Sequence, residues 1–133
     1  MEILERRTLN IDIYIQHWLN GSEEDISAAE SLLENRHFRQ ALFFTHLSLE
    51  KVLKALIVKT TKDHPPKIHN LVRLAEIAGF EIDEDRQDFL RKFNFYVLQG
   101  RYPEFGIVSI SAEDARNRIK ESRKVLEWLK SKL

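Results

Sequence analysis

Between His37 and Lys62 the chain reads HFRQALFFTHLSLEKVLKALIVKTTK, without a Gly or a Pro. Nothing local interrupts a helix of about seven turns there. Phe38, Leu42, Thr45, Leu49, Val52 and Leu56 step by four and three, so they share one stripe. Phe43, Phe44, Leu47, Leu53 and Ile57 widen that stripe until most of the circumference is apolar. A helix apolar on nearly every side is a central one, wrapped by others. Glu50, Lys51 and Lys54 break the apolar cover near one level, and Glu50 can pair with Lys54 at i+4.

The flanking pattern is helical as well. Ile11, Ile15, Trp18 and Leu19, then Ile26, Ala29, Leu32 and Leu33, predict a first helix over 10–34. Within it Gly21-Ser22, followed by Glu24 and Asp25, carries the marks of a fresh N-terminus. The expectation is one kinked helix, or a short helix followed by a longer one. Asn35-Arg36 makes a tight turn from which the central helix returns antiparallel. Pro65 and Pro66 force a loop over 63–67. A short helix over 69–78 follows, with Leu71, Leu74, Ala75 and Ala78 on one side and Gly79 as its left-handed cap.

Asp83 caps a helix over 84–99, whose Phe89, Phe93, Tyr96 and Val97 form an aromatic face. Gly100-Arg101-Tyr102-Pro103 ends it, and 101–110 is irregular. Ser111, with Asp114 three residues on, opens a last helix through Ala115, Ile119, Val125, Leu126 and Leu129. No run alternates with period two for more than four residues, and the connections are mostly short. The pattern therefore predicts an all-α, antiparallel up-and-down bundle of about five helices, as a single domain over 1–133.

Composition narrows the function classes. The 133 residues include no Cys, which excludes a disulfide framework, a thiolate metal site and a cysteine nucleophile. The start, MEILERRTLN, lacks the apolar region of a signal peptide, and no window approaches a membrane span. A cytoplasmic protein without membrane contact is expected. The 21 Lys/Arg balance 21 Asp/Glu, which argues against polyanion binding by the whole surface. Charge is uneven, though: from Arg36 to Arg73 there are eight Lys/Arg against Glu50 and Asp63, with four of the five His. The flanks are acidic, with Glu23, Glu24 and Asp25 before it and Glu81, Asp83, Glu84 and Asp85 after it. Two readings follow: oppositely charged solvated faces on neighbouring helices, or a basic cleft for phosphate between acidic walls.

Several constellations are candidates for chemistry. Arg39 and His46, seven apart, project from nearly the same helical face, as a general base with an electrophilic partner would. The same pattern also fits an ordinary amphipathic face on which Arg snorkels and His fills an interface. His64 and His69 are not at a helical metal-ligand spacing, and no His or acid cluster completes a metal site. The sequence carries no GxGxxG, P-loop or GxSxG pattern, so no cofactor is expected. Lys51 and Lys54 lie three apart. Arg101 stands at a helix end beside Tyr102, where a planar fork and a ring suit a phosphate and a base.

The run from Arg39 through Leu49-Glu50-Lys51-Val52-Leu53-Lys54-Ala55-Leu56 resembles the HEPN domain (higher eukaryotes and prokaryotes nucleotide-binding). The later order is similar to it too: Pro65-Pro66, His69-Asn70-Leu71, Arg101-Tyr102-Pro103, then Ser111 to Ala115 opening a final helix with Trp128 near its end. The resemblance covers about Trp18 to Trp128 and implies an all-α bundle that pairs into homodimers. It further implies a minimal nucleotidyltransferase partner in a toxin–antitoxin-like module. Many members are metal-independent ribonucleases using an Arg and a His with four to six residues between them, near a helix end. Arg101 matches that Arg, but Tyr102 to Val108 contains no His. The resemblance therefore implies a non-catalytic domain binding nucleotide or RNA phosphate. Lys51, Lys54, His69 and Arg101 are its candidate contacts, and Tyr102 its stacking element. The alternatives are a ribonuclease toxin using Arg39 and His46, and a ligand-free, antitoxin-like interaction module.

Overall fold

In the computed structural model the backbone is described for residues 2–101 and 110–133, and side chains for 10–95 and 110–133. Five helices make up the described fold: α1 (Glu2–Glu34), α2 (Phe38–Thr61), α3 (Leu71–Ala78), α4 (Glu84–Arg101) and α5 (Ala112–Lys130). The apolar circumference of α2 has the expected consequence. From Ala41 to Val58 most residues are buried, Phe43, Phe44, Leu47 and Lys51 only partly so, and α2 contacts each of the other four helices. Leu49, Val52, Leu53 and Ile57 form the centre of the core with Ile26, Leu71, Leu74, Phe93 and Leu129. Phe89 and Phe93 supply the core face of α4 as the spacing predicted; the side chains of Tyr96 and Val97 lie outside the described residues.

The helix ends follow local chemistry. Asn70 caps α3, its side chain accepting from the Val72 and Arg73 amides, so α3 starts two residues after the predicted His69. Gly79 closes it at φ 80°. Ser111 caps α5 by accepting from Asp114 N–H at 3.1 Å. Asp83 accepts from Arg86 N–H at 3.2 Å. The Arg86 guanidinium on the same carboxyl holds its pKa below the ordinary value, so this cap is present at neutral pH and is lost as pH falls through the carboxylate range.

The α1–α2 turn is a Schellman closure: Arg36 N–H donates to Leu33 O at 3.0 Å and His37 N–H to Leu32 O at 2.8 Å. It places Arg36 at φ 64°, a left-handed conformation that costs an L side chain about 1–2 kcal/mol. Arg36→Gly is expected to raise stability by up to about 1 kcal/mol. The strain relief is partly offset by the entropy of glycine and by the loss of the Arg36 contact over Phe38. The measurement is a higher urea midpoint at unchanged slope.

Gly21-Ser22 is not a break. α1 runs through it without interruption. These two residues let α1 and α2 approach closely. Ser22 Oγ donates to Ser48 O at 2.9 Å, and Ser48 Oγ returns the bond to Ser22 O at 2.8 Å. Both serines are buried. A Cβ on Gly21 would stand 3.0 Å from Lys51 Cδ, so the glycine leaves room for the Lys51 stem.

The loop after α2 sets the site. It leaves at Lys62 and turns back along α2, so that His69 reaches Glu50, about three turns before the end of that helix. Just beyond α3, Phe80 packs against Trp128 of α5. α4 returns with Arg86 over the same indole and Asn94 beside His46. α5 lies antiparallel to α1, tied by ion pairs of Arg123 with Glu30 and Lys130 with Glu23. Lys59 of α2 donates to the carbonyls of Lys132 and Leu133 at 2.8 and 2.7 Å. No helix among the described residues is long and apolar enough to cross a membrane.

Candidate functional site

Glu50 is the one carboxylate in the buried stretch of α2, and it is 5% exposed. A buried carboxylate is expensive unless paired and hydrogen-bonded. Lys54, one turn on, donates from Nζ to Oε2 at 3.2 Å, the i+4 pairing that the spacing predicts. The ammonium is itself buried and lies 5.4 Å from the centre of the Trp18 ring on α1. The other oxygen, Oε1, lies 2.9 Å from Nδ1 of His69. His46 Nδ1 stands 4.0 Å from the same atom.

Chemistry assigns the proton in the His69 contact. A carboxylate accepts, so Nδ1 of His69 carries the hydrogen and donates it. The ring is held by that bond while its side chain remains 54% exposed. Nε2, on the opposite edge of the imidazole, is thereby fixed in orientation. Neutral, it offers a lone pair; protonated, it offers a donor next to a balanced ion pair.

Two side-chain amides lock this arrangement from behind. Asn94 of α4 accepts from Leu71 N–H at 2.9 Å and donates to Asn70 Oδ1 at 2.9 Å. Its Oδ1 is also 3.4 Å from Nε2 of His46. Asn70, next to His69, thus caps α3 and is held by α4. His46 is 2% exposed and acts from inside the bundle, as the third element of this junction.

The expected site residues divide accordingly. Lys54 and His69 do meet, both on Glu50. Lys51 belongs to a different pair: its Nζ is 2.7 Å from Asp25 Oδ2 of α1. That oxygen has no partner in hydrogen-bond geometry among the described residues, so the attraction is coulombic rather than a directed bond. Arg39 is exposed while His46 is buried, so the two are not presented together on one open face. Arg101 is the last residue of α4; its side chain and Tyr102 lie outside the described residues.

Sequence reasoning missed Asn94, Asn70 and Trp18 as members of this junction. Asn70 had a legible signal, since Asn directly before an apolar helical run is a cap. Asn94 had none: a polar residue between Phe93 and Phe95 reads as an ordinary exposed position.

The HEPN domain family model matches residues 15–132. Among solved structures the chain is similar to TT1696 from Thermus thermophilus, at 19% identity and a TM-score of 0.76, over 90% of this chain and 98% of that one. It is also similar to ST0689, an archaeal HEPN homologue, at 20% identity and a TM-score of 0.64, over 88% of this chain and 95% of that one. At such identities these two likenesses are of fold. No curated protein sequence matches the chain significantly. The family match spans nearly the whole bundle, including the junction of α2, α3 and α4: the chain belongs to the HEPN domain family.

Proposed function

We propose that this HEPN domain binds a phosphate group of a nucleotide or RNA, without catalysing a reaction on it, at the face where His69 overlies the Glu50–Lys54 pair. The observation that carries the reading is the half-exposed His69 ring, clamped at Nδ1 by Glu50 with Nε2 on its opposite edge. In the protonated ring Nε2–H is a donor fixed in advance, which loses little rotamer entropy when an anion arrives. Lys54 contributes from below by balancing Glu50, so His69 faces no uncompensated negative charge. Lys51 is engaged with Asp25 and adds cationic field at the flank. On the sequence argument alone, Arg101 and Tyr102 are candidates for a further phosphate contact and a stacking contact.

The buried position of His46 supports binding over a nuclease built from Arg39 and His46, because a general base must reach the proton it abstracts. Family membership supports the wider setting: a cytoplasmic homodimer acting with a minimal nucleotidyltransferase in a toxin–antitoxin-like pair. Calorimetric titration with AMP, ATP and a short single-stranded RNA tests the site. Binding is expected to weaken about tenfold in His69→Ala, the equivalent of one charge-assisted hydrogen bond of about 1.4 kcal/mol. It is expected to weaken further on adding Arg101→Ala. No binding by the intact protein, or affinities unchanged in both variants, overturns the reading.

A further inference from the structure

We infer that Nε2 of His69 is a phosphoryl acceptor, a modification site activated by Glu50. Three features of the junction combine. Nδ1 is 2.9 Å from Glu50 Oε1, so the proton sits on Nδ1 and the lone pair on Nε2. Glu50 is 5% exposed, so little water competes for that bond, and its other oxygen, Oε2, accepts from Lys54 Nζ at 3.2 Å. The imidazole itself is 54% exposed, open to a donor from solvent.

The same carboxylate stabilises what the reaction creates. Nε2 attacks the phosphorus of a small phosphoryl donor, an acyl phosphate or a phosphoramidate. The Nε2–P bond forms as the bond from phosphorus to the leaving carboxylate or ammonia breaks, and the leaving group takes that electron pair. The ring becomes an N-phosphorylated imidazolium whose Nδ1–H points at the Glu50 carboxylate. Charge thus develops where a fixed, desolvated anion already stands. The other exposed histidines have no such carboxylate among the described residues: His17 lies edge-on to Trp18, and His64 lies against Tyr14. His37 precedes α2 and makes no side-chain cap.

The inference rests on the reading that this face handles phosphate, but it does not require nucleotide affinity, and the test separates the two. The intact chain is incubated with potassium phosphoramidate, and each histidine is followed by mass spectrometry of peptides kept at alkaline pH. His69 is expected to label at least about tenfold faster than His17, His37 and His64, with the phosphorus on Nε2 by NMR. Such an advantage corresponds to about 1.4 kcal/mol of barrier. Glu50→Gln is expected to bring His69 down to the rate of the others. His46, 2% exposed in the folded chain, is expected to stay unlabelled in Glu50→Gln, which guards against a folding defect. Labelling of His69 no faster than the other exposed histidines, or an advantage that survives in Glu50→Gln, overturns the inference. Preferential labelling in a protein that binds no nucleotide would sink the binding reading and leave this one standing.

Discussion

Glu50→Ala is expected to lower the unfolding free energy by about 3–5 kcal/mol, the range for removing one partner of a buried ion pair. The loss is not the Glu50–Lys54 attraction alone. Without Glu50 the Lys54 ammonium, 7% exposed on its side chain, stays inside the bundle with no counter-ion. The Nδ1 hydrogen of His69 loses its acceptor in the same step. Urea unfolding of the single variant and of Glu50→Met/Lys54→Met makes the test. Replacing both partners by apolar residues of similar volume removes the stranded charge, so the double variant is expected to recover most of the loss. A double variant as unstable as the single one would mean that side-chain shape, and not charge, sets the cost. The recovered protein is also expected to be stable without binding phosphate, because nothing then orients His69.

Asn94→Ala is expected to cost about 1–3 kcal/mol, the penalty for leaving buried polar groups unsatisfied. Leu71 is fully buried, and its amide donates to Asn94 Oδ1. Asn70 Oδ1 also loses one donor, Asn94 Nδ2, while keeping the amides of Val72 and Arg73. The damage is local to the start of α3, which gives it a specific signature. Amide exchange should quicken at 71–73 while the centre of α2 stays protected. Uniform acceleration across the bundle would show instead that Asn94 acts through global stability. Asn94→Asp keeps the acceptor for Leu71 but removes the donor to Asn70, and is expected to fall between wild type and alanine.

The two substitutions probe one junction from opposite sides. Glu50 sets where His69 points; Asn94 sets where the backbone beside it, at Asn70 and Leu71, is held. A site half made of loop is usually adaptable, but this loop is fastened at its far end by a carboxylate below and an amide behind. That fastening is what allows an exposed imidazole to be preorganised.

Most of the architecture is legible in the chain alone. The all-α class, α2 as the central helix, Gly79 and Ser111 at helix ends and the Glu50–Lys54 pairing all follow from contacts within about one turn. Periodicity, capping and i+4 spacing record those directly. Gly21-Ser22 misleads for a physical reason. A small residue with a capping neighbour looks the same whether it ends a helix or lets another helix approach, and only the mutual bonds of Ser22 and Ser48 decide. Lys51 and Lys54 share a face by spacing but are claimed by different anions. Glu50 is on α2 itself, whereas Asp25 comes from α1, and packing sets its place beside Lys51.

The convergence at the site belongs wholly to the tertiary structure. His69 is 19 residues from Glu50, and Asn94 is 48 residues from His46. No local signal carries those distances. They follow from the path of the loop after Lys62, which turns back along α2 because α3 must bury Leu71, Leu74 and Ala78 against it. The amino-acid order determined which helices form and which one is swallowed. The packing of those helices decided which polar groups had to share the space left over.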